Sequence, residues 1–234
     1  GFVLGRHVFG RDAMGAALTG MGCAFSNTVL LGLPLILLAY GEEGALPFFL
    51  ILSVHGIILF TGTTILLESA RGTAGSLPDL AGQVILGLVK NPILIGLAAG
   101  MATNLSGVQL ATPVDRIAET MTGAVLPCAL FVLGSSLKRY GIAGRVLQSG
   151  VQVAIKLLVF PALVFVLGTH VFDLDPLWVQ IAVITAAQPS GVMVFIFANR
   201  YGTAQALTTT SIFLSTVFSV VTLWAILWLF RGGA

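Results

Sequence analysis

The sequence predicts an all-helical integral membrane protein in which two of the spans are broken. Three observations carry this prediction. Of the 234 residues, 57% are hydrophobic and 9% charged, and the mean hydropathy of +1.03 lies far outside the soluble range. Apolar runs recur that suit spanning helices of about 20 residues, and the short period-two segments of a membrane barrel do not occur. Two of the runs carry Pro and Gly where Leu would be expected, SNTVLLGLPLILLAYG at 26–41 and QPSGVMVFIFANRYG at 188–202. Proline lacks the N–H its preceding turn needs, and glycine resists unwinding weakly. In lipid, backbone groups freed in this way persist only where protein or a water-filled cavity satisfies them.

Taken in order, residues 1–10 close an apolar segment at Gly5-Arg6-His7. The opening at Gly1, inside what reads as the tail of an earlier span, suggests an N-terminally truncated product, and no charged region with a short apolar core and cleavage site marks a signal peptide. Arg11-Asp12 starts the run 13–40, which contains the first interruption, and Gly41-Glu42-Glu43-Gly44 is a turn. A span over 45–67 stops at Glu68, and 71–78 is a Gly/Ser/Pro loop. Residues 80–89 read either as an interfacial helix or as the first part of a kinked span completed by 92–104. The piece 114–119 is polar enough for the surface, and 121–137 runs inward past Pro127 and Gly134. Spans over 146–169, 177–199 and 204–230 complete seven spans plus a remnant.

When successive spans alternate, one face collects Arg6, Arg11, Arg71, Lys90, Lys138, Arg139, Arg145 and Arg200, and the other only Arg116 and Arg231. The first face is expected to be cytoplasmic. The net charge of +2 and the lack of a basic tract argue against a nucleic-acid partner. Cys23 and Cys128 sit in apolar runs and read as small packing hydrophobes. No nucleophile with a base, paired Asp or His-Glu-x-x-His set is present, so neither an enzyme nor a metal or cofactor is expected.

Tyr40-Gly41 laid on Tyr201-Gly202 aligns 26–67 with 188–228, placing Ile51 on Ile212 and Thr61 on Thr222. Both first members carry an interruption, Gly32 to Pro34 in one and Pro189 to Gly191 in the other, and the second lies five spans after the first, an odd offset that sets the copies in opposite orientations. Such a pair is a sequence pointer to the binding site of a secondary transporter. Half-helix N-termini at the midplane suit an anionic group.

At NTVLLGLPLILLAYG, KNPILIGLAAG, LPCALFVLGSSL, KLLVFP, AAQPSGVMVFIFANRYG and STVFSVVTL the chain resembles the auxin efflux carrier family, which includes bacterial malonate-type transporters and the plant PIN proteins. The resemblance implies an inverted-repeat transporter fold of ten helices in two five-helix repeats, with the fourth and ninth broken and crossing at the substrate site. About seven to eight of those helices are expected here, with 1–69 the remainder of the first repeat, 70–80 a cytoplasmic linker and 81–234 the second repeat. It also implies a multi-pass protein of the bacterial cytoplasmic membrane that moves a small organic anion by alternating access, and it admits a homodimer. An anion-binding receptor or channel is the alternative.

The expected substrate-binding residues are Asn27, Thr28, Gly32, Pro34, Gln188, Pro189, Ser190, Gly191 and Lys156. Asn27 offers an amide to a carboxylate or, on the bland reading, to a neighbouring helix. Ser190 and the Gly191 N–H could hold an anion, or the segment is a packing kink satisfied internally. Where plant members carry Leu, this chain has Gln188, an amide that could tune substrate choice. Lys156 either supplies a counter-charge near the crossing or snorkels to the cytoplasmic end, and a substrate anion or a helix C-terminus would serve as its partner. His55 either relays a proton or bonds a neighbouring helix. Glu119 suits a helix start, and Trp178, Trp224 and Trp228 suit interfacial belts or lipid packing.

Overall fold

A computed structural model describes residues 1–71, 82, 92–107, 111–139, 142 and 144–232. A π-helical turn, Leu4–Val8, leads to α1 (Ala13–Ala24), whose start is capped by Asp12 accepting from Gly15 N. A second π-helical turn, Thr28–Gly32, opens into α2 (Leu33–Arg71). Helices α3 (Pro92–Ser106) and α4 (Thr112–Arg139) follow. Next comes α5 (Val146–Ala154), which continues through the π-helical turn Ile155–Val159 into α6 (Phe160–Val166) and a further π-helical turn, Leu167–Val171. The chain ends with α7 (Pro176–Ala186), α8 (Met193–Tyr201) and α9 (Gln205–Gly232).

Three helical stretches are long and apolar enough to cross a membrane among the described residues: 28–71, 146–171 and 205–230. Shorter apolar helices, α1 and α7, are the first halves of the two interrupted runs. The expected turn at Gly41 is present as a break inside α2, where Gly41 has φ 60° and ψ −144°. Gly202, its aligned partner, ends α8 at φ 65°, so both aligned glycines take the positive φ that other residues avoid. Residues 114–119 are not a separate surface piece; they lie within α4, which continues past Pro127. The segment 80–89 falls outside the described residues except position 82.

Buried polar residues and exposed large apolar ones accompany an apolar core. Thr19, Ser26, Ser149, Lys156, Gln188, Thr210, Ser211 and Ser215 are buried, while Leu38, Ile58, Phe218, Val220, Trp224 and Trp228 are exposed. That distribution suits a lipid exterior, which leaves polar groups to find partners inside the bundle. Two apolar clusters flank the interruptions. Leu18, Met21, Phe25, Leu67, Val194 and Phe197 form one, and Ile36, Phe48, Ile181, Ile184 and Leu223 form the other. Of the two thiols, Cys23 is buried as expected but Cys128 is exposed on α4. An apolar stretch on a helix still leaves one side facing outward.

Candidate functional site

Helix α1 ends at Ala24, and Phe25 turns extended with φ −74° and ψ 114°. The first break therefore lies at residues 25–27 rather than at Gly32 to Pro34. Pro34 lies in the second turn of the helix that runs on from Thr28, where its missing N–H is accommodated next to the π-helical turn Thr28–Gly32 without a break in the helix. Gly32 contributes close approach instead, because a Cβ there would meet the Phe48 ring at 3.3 Å. The second break falls where it was expected, between the end of α7 at Ala186 and the start of α8 at Met193.

The two breaks cross. Ser26 and Ser190 pair as an isolated antiparallel β-bridge. Asn27 N donates to Pro189 O at 2.9 Å, and Gly191 N donates to Phe25 O at 3.0 Å. Backbone groups released by each interruption are thus satisfied by the other, as an apolar surrounding requires. Gly191 has no room for a side chain: a Cβ would lie 2.5 Å from the Phe25 ring and 3.0 Å from Ser26 O.

Side chains complete the junction. Ser190 Oγ donates to Gly22 O at 2.7 Å, satisfying a carbonyl in the last turn of α1, and Ser190 N donates to Ser215 Oγ of α9 at 3.1 Å. Lys156 is 0% exposed, so it does not snorkel. Its Nζ donates to Ser26 Oγ at 2.9 Å and also to Ala186 O, the terminal carbonyl of α7. The partner of this ammonium is thus a helix C-terminus, where the dipole favours a cation. The Phe160 ring centroid lies 5.1 Å from the same nitrogen. His55 of α2 accepts Ser26 N–H at Nε2, 3.1 Å away, with its ring centroid 5.0 Å from that of Phe25. An imidazole accepting at Nε2 carries its proton on Nδ1.

Asn27 and Thr28 are 7% and 4% exposed. Asn27 O accepts from Leu31 N and Gly32 N, but its side chain makes no capping bond. Gln188 Nε2 donates to Ile184 O at 3.3 Å, whereas its Oε1 has no partner among the described residues. The structure therefore brings Asn27, Thr28, Pro189, Ser190, Gly191, Lys156 and His55 to one junction. Gly32 and Pro34 sit beyond it at the start of the continuing helix.

Ser26 joins Lys156, His55 and the opposite break, yet its residue type alone did not single it out. Residue type does not single out Phe25 or Ser215 either. Their signals were position: Phe25 and Ser26 directly precede Asn27, and Ser215 lies in STVFSVVTL.

At the end of the 28–71 stretch, Tyr201 Oη donates to Glu68 Oε1 at 2.7 Å, with Arg71 stacked 4.8 Å from the ring centroid. Burial first, and then the Glu68 carboxylate, push the phenol up to about 12. The hydroxyl is consequently a donor at neutral pH, tying the end of α2 to the end of α8. Near the start of α1, burial and then the neighbouring Arg145 press the Arg11 guanidinium below its usual range, and Asp12 opposes them.

Comparison with known proteins gives a family and three relatives. A family model described as membrane transport protein matches residues 1–227. A Rhizobium meliloti protein named "Putative malonate transporter" is 28% identical over 233 residues, spanning 100% of this chain and 73% of the relative. An "Uncharacterized transporter" of Methanothermobacter thermautotrophicus is 25% identical over 207 residues, spanning 87% of this chain and 64% of that protein. A further uncharacterized transporter, from Methanocaldococcus jannaschii, is 25% identical over 232 residues, spanning 95% and 72%.

Proposed function

Because the chain belongs to the auxin efflux carrier family of membrane transport proteins, we propose that it is a secondary transporter of a small organic anion with its substrate site at the helix crossing. The observation that carries this reading is the antiparallel pairing at Ser26 and Ser190 with Lys156 buried against it. Two helix C-termini meet there and are met by donors: Lys156 on α7 and Ser190 on α1. The N-termini that begin at Thr28 and Met193 remain; Thr28 N and Val194 N already donate to Ser26 O and Gly191 O, so what these ends offer an anion is chiefly the partial positive charge of the helix dipole. An anion is the natural occupant of that position. The Asn27 side chain, which does not cap its own turn, supplies an amide donor beside it.

A small dicarboxylate of the malonate class is the proposed substrate, in line with the name of the Rhizobium relative. Alternating access in a bacterial cytoplasmic membrane, with the arginine-rich face inward, completes the proposal. Equilibrium binding of labelled malonate to purified protein tests the site. Asn27→Ala is expected to weaken affinity about tenfold, as losing one hydrogen bond to a charged group would. Unchanged affinity would remove Asn27 from the site.

A further inference from the structure

Between the crossing and Arg11, buried polar atoms outnumber their protein partners. Gln148, Gln152 and Lys156 follow one another at four-residue spacing, so they share a helix face at steps of about 6 Å. Gln148 and Gln152 are 6% and 1% exposed, and Ser211 of α9 is 0% exposed. Gln148 Oε1 accepts from Arg11 Nε at 3.1 Å. Gln148 Nε2, Arg11 Nη2, both amide atoms of Gln152 and Ser211 Oγ have no partner among the described residues. Gln152 packs against α1 at Gly22, where an added Cβ would stand 2.0 Å from its Nε2.

Each orphaned buried group costs about 1–3 kcal/mol, so a cluster of them calls for an occupant. The chemistry of the orphans selects it. An anion would accept from Arg11 Nη2 and the two amide nitrogens but would leave Gln152 Oε1 without a donor. Water both donates and accepts. At about 2.8 Å per hydrogen bond, two such bonds cover one four-residue step.

We propose that Arg11, Gln148, Gln152 and Ser211 line a chain of buried waters running from the arginine-rich end of the bundle to Lys156, through which the Lys156 ammonium exchanges protons with that aqueous face. In the exchange one Nζ–H bond breaks, the electron pair stays on nitrogen, and the proton passes to the adjacent water as hydronium and onward. The resulting amine keeps two N–H donors, the number needed for Ser26 Oγ and Ala186 O, so the crossing is not dismantled by the transfer. The titratable groups that act on Lys156 among the described residues are Cys23 of α1 and His55 of α2. At the far end, Arg11 is flanked by Arg6, Asp12 and Arg145.

Reductive methylation with formaldehyde and cyanoborohydride tests the route without any transport readout, so its outcome is separate from that of the substrate reading. The lysines are Lys90, Lys138 and Lys156, and peptide mass spectrometry resolves them. Lys156 is expected to be methylated in the purified protein and about tenfold more slowly in Gln152→Leu, a barrier change of one hydrogen bond's size, with Lys90 and Lys138 unaffected. A Lys156 that stays unmodified while the other two react, or that reacts equally in both proteins, overturns the proposal.

A second measurement avoids dependence on the leucine variant. With Cys23 and Cys128 replaced by Ser, Gln152→Cys is exposed to a membrane-impermeant methanethiosulfonate on either side of sealed vesicles. Reaction is expected from the face bearing Arg6 and Arg11, about tenfold faster than at Leu18→Cys in the apolar core. Equal rates at the two positions also overturn the proposal.

Discussion

Lys156 and Ser26 form the residue pair on which the crossing turns. Replacing Lys156 by Met removes a donor from two buried acceptors but also removes a buried charge, and these effects offset each other. Ser26→Ala instead leaves the ammonium in place with one acceptor fewer, which is the costlier change. We expect Ser26→Ala to destabilise the protein by about 1–3 kcal/mol, and by much less in a Lys156→Met background, where the partner is already gone. Denaturation of the two single variants and the double variant measures that coupling, and additive effects would dissolve the pair. Tyr201 gives a second expectation at this scale. Its folded-state phenol is raised to about 12, above an unfolded value of about 10. The stability it contributes is therefore fully present below about pH 10 and is lost as pH rises toward 12. Melting of the wild type should fall more steeply than that of Tyr201→Phe between those two pH values, and parallel curves would argue against it.

At the scale of elements, the breaks are stabilised by each other rather than by the residues that announce them. Pro34 and Gly32 mark the first interruption in the sequence, but the extended backbone lies at Phe25 to Asn27, and Pro34 follows the π-helical turn Thr28–Gly32 inside a continuing helix. Periodicity and Pro/Gly content mark where a helix is weakened. They do not mark where its freed groups find acceptors, which depends on a segment more than 160 positions away, as the Ser190 to Gly22 bond shows. The second interruption was legible because Pro189 and Gly191 are themselves in the bridge: one gives its carbonyl and the other its N–H. Lys156 was legible as a buried charge seeking a partner. Ser26 was not, because a serine in a membrane helix has many ordinary uses. Gly191→Ala tests this interlock. Its new methyl would overlap the Phe25 ring, and overpacking of this kind costs about 1–3 kcal/mol, so a lower melting temperature is expected. A smaller loss in a Phe25→Leu background would tie the cost to that contact, and an unaltered melting temperature would contradict it.

Across the whole molecule, composition alone made the helical membrane class legible, since 57% hydrophobic and 9% charged residues leave little else. The aligned glycines at 41 and 202 both take positive φ, and the breaks run antiparallel. The inverted relation of the two span pairs remains part of the proposal. The transport proposal rests on that arrangement together with family membership. Counterflow in proteoliposomes tests it most directly. With unlabelled malonate loaded inside, external labelled malonate should enter and transiently accumulate, in a saturable manner, as it exchanges through a carrier. Labelled malonate that equilibrates without overshoot or saturation, or that binds without entering, would contradict the account.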